Sequence, residues 1–207
     1  MKKQLCVVAI ASFLSAPVFA DHLGVFVGAD YLSNKSDVNG HSNILDDSNN
    51  FSGYVAFEHF IPLIPNVKIR YSDLAADYKA VSGELDSSLA NGVLYYQIFD
   101  NDLFQIDLGL AYTKAEMDEK DANIAQVYGA AEISVPGTEL YVFAEVLGGS
   151  LTDDDAMDAT GGVGYTFNPD SLVRLSVRTG YRYQKIDLDD VEKQETSGLF
   201  AGVEAHF

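Results

Sequence analysis

Four histidines, His22, His41, His59 and His206, are the side chains best suited to acid–base or metal chemistry, and none stands at a ligand spacing from another histidine or a cysteine. His206 shares a strand parity with Glu204, so an acid–base pair can be drawn there, although a lone histidine in that position reads as a rim residue. Barrel lipid hydrolases place His and Ser two residues apart on a strand; here His59 is followed two places on by Ile61. Barrel proteases hold Asp and His on strands that project past the membrane, a length these strands are not expected to have. Carboxylates crowd at TDDDAMD, residues 152–158, where oxygen ligands for a divalent cation would lie close together. The stretch lacks the glycine and terminal glutamate of a calcium loop and reads as an acidic surface loop kept extended by self-repulsion. The most suggestive set is Arg174, Arg178 and Arg182, whose spacing of four puts all three guanidinium groups on one side of a strand. The expectation is no enzyme, no metal and no cofactor.

The elements that hold these arginines begin after residue 20. MKKQLCVVAIASFLSAPVFA carries Lys2 and Lys3, an apolar stretch from Leu5 to Leu14, and small residues ahead of Ala20, the pattern of a secretory signal peptide cleaved near Ala20. Cys6 lies inside it, so residues 21–207, expected to form one domain, contain no thiol or disulfide. Of 13 Lys and Arg against 31 Asp and Glu, two lysines leave with the signal, and so acidic a chain disfavours nucleic acid as a partner. No apolar run after Ala20 is long enough for a membrane helix.

Period-two alternation predicts ten strands, near 23–33, 51–60, 66–76, 87–99, 103–113, 124–135, 139–149, 157–167, 172–186 and 197–207. Short connections rich in turn residues sit at 61–65, 100–102, 136–138 and 168–171. Longer acidic ones lie at 34–50, 77–86, 114–123, 150–156 and 187–196. Short turns at one end and long loops at the other predict an all-β, ten-stranded, antiparallel, up-and-down transmembrane β-barrel, with eight strands as the alternative count.

One parity of these strands is apolar, for instance Val25, Val27, Ala29 and Tyr31, or Ile106, Leu108, Leu110 and Tyr112. The other carries Asp30, Glu58, Lys68, Arg70, Asp107, Glu132, Glu145, Arg174, Arg178, Arg182 and Glu204, including all four arginines. Alternation alone fits a soluble barrel as well. The near balance of cations and anions on the polar parity favours a lumen whose charges satisfy one another, with the apolar parity facing lipid. Register follows from magnitude: an arginine on the lipid face costs roughly 2–4 kcal/mol near the midplane, and a one-residue slip would flip Arg174, Arg178 and Arg182 together. Tyrosine and phenylalanine would form the interfacial girdles, since the chain has no tryptophan.

The closing strand, SGLFAGVEAHF, places Leu199, Ala201, Val203, Ala205 and Phe207 on the lipid parity. It resembles the C-terminal signature by which bacterial outer-membrane proteins meet their assembly machinery. The hairpin segments EHFIPLIPNVKIRYSDL, residues 58–74, and LYYQIFDNDLFQIDLGLAY, residues 94–112, resemble those of a family of small, uncharacterised proteobacterial outer-membrane β-barrel proteins. That resemblance implies fold and location, the outer membrane of a Gram-negative bacterium, and transfers no catalytic residue. The expected role is structural or surface-interactive, in a monomer whose lumen is filled by charge and whose partner is outer-membrane lipid. A narrow pore for small solutes or ions and a soluble periplasmic ligand-binding barrel are the alternatives.

Overall fold

The computed structural model describes residues 23–61, 63–101, 103–150, 154–188 and 193–207. The expected signal segment, with Cys6 and His22, lies outside the described residues. Among the described residues ten strands close into an antiparallel barrel. They are β1 (Leu23–Val38), β2 (Ser48–His59), β3 (Asn66–Asp73), β6 (Ser87–Asp100), β7 (Phe104–Met117), β8 (Lys120–Ser134), β9 (Leu140–Gly148), β10 (Asp155–Thr166), β11 (Arg174–Asp187) and β12 (Gln194–His206). Between β3 and β6 a small ribbon forms from β4 (Ala76–Asp77) and β5 (Glu84–Leu85). Every barrel strand pairs with its neighbour along the chain, and β1 pairs with β12 to close the cylinder, which leaves no sheet edge open. The fold class is the one expected from the alternation.

The register puts the apolar parity outside. Val27, Val55, Ile69, Leu94, Leu110, Val127, Val142, Val163, Val177 and Val203 are all exposed, and together they form a belt around the barrel. Aromatic pairs stand near its two edges: Tyr31 edge-on to Phe51 at 5.1 Å, and Tyr165 edge-on to Phe167 at 5.1 Å.

Two features differ from the sequence expectation, and they share a cause. The strands are longer than expected, β1 running 16 residues and β8 15, and the expected loop 114–123 is a tight connection. β7 and β8 stay paired to Met117↔Lys120, joined by Asp118 and Glu119, with Asp118 in the left-handed region at φ 50°. Past Tyr31, Tyr112 and Tyr181 the outward positions turn polar: Ser33, Lys35 and Asp37 on β1, Lys114 and Glu116 on β7, Lys185 and Asp187 on β11. The inward positions at the same height turn apolar, as with Val38, Ala115, Met117, Ile124 and Ile186, all at 0–1 % exposure. Alternation therefore continues, but its phase flips where the barrel leaves the belt. The lower part is built inside-out, as hydrocarbon requires, and the upper part right side out, as water requires.

Candidate functional site

The interior falls into four levels, named here from the loop end, where the longer connections lie, to the turn end, where the short turns and Leu23 and Phe207 lie. At the loop end the apolar inward residues of the strand tops pack with Leu45, Leu74, Ala76, Leu85 and Leu188 from the connections into one buried cluster, a plug across the mouth. The ribbon supplies part of it, and an isolated bridge, Leu45↔Tyr78, ties the first connection to the second.

Beneath the plug lies a tier of amides and hydroxyls. Asn34 Nδ2 donates to Asn50 Oδ1 at 3.1 Å, and Asn50 Nδ2 to the Ala75 carbonyl at 3.0 Å. Asn91 Nδ2 donates to Thr113 Oγ1 at 2.8 Å, while Gln194 Nε2 reaches the Leu74 carbonyl at 3.0 Å. Ser36 bonds Thr196, and Ser52 bonds Ser72, both at 2.9 Å. These bonds satisfy buried polar groups and tie the ends of the plug connections to the wall.

The third tier is the charge network. Arg182 clasps Asp158 through two donors, Nε to Oδ1 at 2.8 Å and Nη2 to Oδ2, and its Nη2 also donates to Ser72 Oγ at 2.8 Å. Arg70 lies between Glu145 and Asp158, 3.6 Å from the latter, and Lys68 pairs with Glu145. Arg178 Nη2 donates to both oxygens of Asp30, at 2.9 and 3.1 Å, with Glu204 3.8 Å away. Aromatic faces support the cations: Lys68 sits 4.7 Å and Arg178 5.0 Å from the Tyr54 ring centre, and Arg178 5.2 Å from that of Phe143.

Glycines on neighbouring strands make room for this tier. Gly28 stands opposite Tyr54 in the β1–β2 register, and a Cβ there would lie 2.2 Å from the ring. Gly202 of β12 faces Asp30 on one side and Arg178 on the other, and a Cβ would lie 1.9 Å from Asp30 Oδ1. The Arg178–Asp30 pair thus bridges over a strand that carries no side chain at that point.

The fourth level is a cavity of about 500 Å³ that opens at the turn end. Its walls carry Glu58, Asp107, Glu132 and Glu204 among aromatic rings, with Lys68 and Arg178 at its floor. Tyr95 donates to Glu58 Oε1 at 2.7 Å and Gln97 Nε2 to Glu58 Oε2 at 3.1 Å.

Of the residues expected to share a lumen network, Lys68, Arg70, Arg178, Arg182, Glu145 and Glu204 meet in it. Glu58, Asp107 and Glu132 line the cavity with no cation of the described residues within ion-pair distance. Arg174 is not in the network: it is exposed at the turn end, where its Nη2 lies 3.1 Å from His206 Nε2, because β11 begins at that residue. Sequence reasoning misses Asp158. An acidic run suggests a solvated loop, yet Asp158 is 1 % exposed on β10, and counting the parity of Val163 and Tyr165 backward puts it inside. The tyrosines of the lumen, Tyr54, Tyr95 and Tyr128, escape assignment from the sequence because aromatic residues populate both faces. On β12, Leu199, Ala201, Val203 and Phe207 are exposed, with Ala205 partly covered, and Phe207 pairs by backbone with Val25 at 2.9 and 3.1 Å.

No family model matches the chain, and no curated protein does. Among solved structures it is similar to Neisserial surface protein A, with 16 % identity over 87 % of this chain and 95 % of that one, at a TM-score of 0.41. A Pseudomonas aeruginosa FadL homologue is similar at 9 % identity, over 90 % of both chains, with a TM-score of 0.36. A deletion mutant of TodX, a monoaromatic hydrocarbon channel, is similar at 8 % identity, over 95 % of this chain and 94 % of that one, with a TM-score of 0.42. At such identities the activities of those proteins do not transfer to this chain.

Proposed function

We propose that this protein is an integral outer-membrane barrel, monomeric and closed to through-passage, whose role is structural or contact-making at the cell surface. The observation that carries this is the vertical change of polarity: an apolar exterior over a charged interior, then a polar exterior over an apolar plug. A soluble barrel gains nothing from the lower arrangement, which leaves Leu110, Ile69, Leu199 and Val127 more than half exposed to water. In hydrocarbon the same residues are at no cost, and the charges of the third tier, Arg70, Arg178 and Arg182 with Glu145, Asp30 and Asp158, are paired across the lumen and need no solvent. The long strands lift the polar collar and its connections clear of the belt, which suits a surface role. The β12 strand, with Phe207, Val203, Ala201 and Leu199 facing lipid, would present the signature for assembly, and the leader ending near Ala20 would direct export.

A narrow pore is the second reading. The open cavity favours it, since it already reaches Lys68 and Arg178. It would require the plug to leave the mouth, which exposes Leu45, Leu74, Leu85 and Leu89 to water. Planar-bilayer recording decides between the two. The refolded wild-type protein is expected to insert, as judged by vesicle flotation and heat-modifiable gel migration, and to give no steady conductance. A stable conductance altered by Arg178→Ala would replace the closed-barrel reading with the pore. Recovery in the soluble periplasmic fraction would remove both.

A further inference from the structure

The turn-end cavity carries more carboxyl groups than the cations around it pair with. Lys68 is engaged by Glu145 and Arg178 by Asp30 and Glu204, while Arg174, exposed at the rim against the His206 ring, is one cation set against the three carboxylates left over. Among the described residues Glu58 accepts bonds from the neutral donors Tyr95 and Gln97, at 2.7 and 3.1 Å, and from no cation. Asp107, 6 % exposed, takes Gln105 Nε2 on one oxygen at 3.3 Å, while its other oxygen is buried without any partner. The Asp107 carboxylate thus lines the cavity with one oxygen short of a donor, which a small rotation of the group would turn toward the open space. Glu132, on β8 next to the strand that bears Asp107, adds a third carboxylate facing the same space.

The three carboxylates stand on β2, β7 and β8, and among the described residues no three His, Cys, Asp or Glu side chains converge closely enough to hold a metal ion. Charges set apart around a cavity of about 500 Å³ suit a cation that is itself extended. The walls are of the right kind. Tyr95 and Tyr128 lie with ring centres 5.4 Å apart, Tyr141 lines the cavity as well, and the same lumen already seats Lys68 and Arg178 on aromatic faces.

We infer that this cavity is a binding site for a small organic polycation, a linear di- or triamine entering from the turn end, with Glu58, Asp107 and Glu132 as ammonium acceptors and the tyrosines flanking its methylene stem. The site does not depend on whether the plug at the opposite mouth is sealed, so a leaking barrel and an empty cavity are separate results.

The test is calorimetric titration of the folded mature barrel, in zwitterionic detergent at low ionic strength, with spermidine as the probe. Magnesium at matched ionic strength and hexane-1,6-diol are the controls. Saturable one-to-one binding of spermidine, with neither control competing, is expected, and its methylene proton resonances should move upfield under the tyrosine rings. Asp107→Asn and Glu132→Gln should each weaken it by roughly tenfold or more, as loss of a desolvated charged contact does. Glu84→Gln, on the exposed ribbon far from the cavity, should not. Absence of saturation up to roughly millimolar spermidine, displacement by magnesium, or an equal loss in Glu84→Gln would each overturn the assignment. The wild-type arms stand even where a variant fails to fold.

Discussion

Breaking the Arg182–Asp158 pair from each side separates a charge network that stabilises the barrel from one that merely fills it. Arg182 is 2 % and Asp158 1 % exposed, so neither charge can recruit bulk water when its partner goes. Arg182→Met leaves the Asp158 carboxylate buried, with Arg70 3.6 Å away and Gln184 at 3.5 Å as partial substitutes. Removal of one member of a buried pair costs about 3–5 kcal/mol, and these substitutes place the loss near the lower figure, about 3 kcal/mol. Asp158→Asn is the harsher change. It keeps the shape but strands Arg182 with Ser72 as its remaining hydroxyl acceptor, and removes one of the two carboxylates beside Arg70, so the upper part of the range, about 4–5 kcal/mol, is expected. The double variant removes both charges while leaving Arg70, Glu145 and Lys68 paired, so it should be more stable than the sum of the single losses by about 2 kcal/mol or more. The assay is urea unfolding in detergent micelles, followed by the heat-modifiable gel shift and by tyrosine near-ultraviolet dichroism. Neutralising the exposed Lys114–Glu116 pair serves as control and should not move the midpoint measurably. Single losses that simply add to within about 0.5 kcal/mol would refute the argument that these charges are held as a unit.

Two further outcomes follow from the belt and the closing strand. Leu110→Arg, at a position 68 % exposed on the apolar belt, should lower stability in lipid by about 2–4 kcal/mol. Glu116→Arg, six residues along the same strand and facing the same way, lies in the polar collar and should leave stability in lipid unchanged; equal effects at the two positions would show that the belt edge is misplaced. Phe207→Ala should reduce the yield of folded protein in the membrane while leaving the unfolding midpoint of the refolded protein nearly unaltered, since the backbone bonds to Val25 remain. A variant that assembles at the wild-type rate would remove Phe207 from the proposed assembly signature.

Much of the barrel is legible in the alternation, because the penalty for misplacing Arg178 or Arg182 outweighs any local preference of the chain. What escapes is the part where the pattern keeps its period but reverses its phase. In KAEMDEKDANIA the polar residues Lys114 and Glu116 take the outward parity and Ala115 and Met117 the inward one, the opposite of Leu108, Leu110 and Tyr112 just before them. Read for a single apolar face, that reversal looks like the end of a strand, and the continuation to Met117 and Lys120 reads as loop. Asp158 is lost for a related reason, since a run of carboxylates suggests solvent unless each is assigned a side. The separation of the lumen into paired and unpaired carboxylates is beyond the sequence altogether. Which acid meets which cation depends on strand stagger around a closed cylinder, and Arg178 reaches Asp30 only because Gly202 leaves the space between them free.

The phase reversal also constrains how the two ends of the molecule can influence each other. A plug built of Leu74, Leu89, Met117 and Ile186 responds to the connections that cover it, but apolar contacts carry little directional information downward. The physical route to the cavity is the polar column: Gln194 holds the Leu74 carbonyl, Ser72 next along β3 receives Arg182, Arg182 holds Asp158, Asp158 neighbours Arg70, and Arg70 shares Glu145 with Lys68 at the cavity floor. Displacement of the second connection would therefore reach the cavity along β3, from Ser72 to Lys68, and through the release of Arg182. That places the Arg182–Asp158 pair at the junction between the loop-end and turn-end halves of the barrel, where the cost of parting two buried charges resists motion passing from one half to the other.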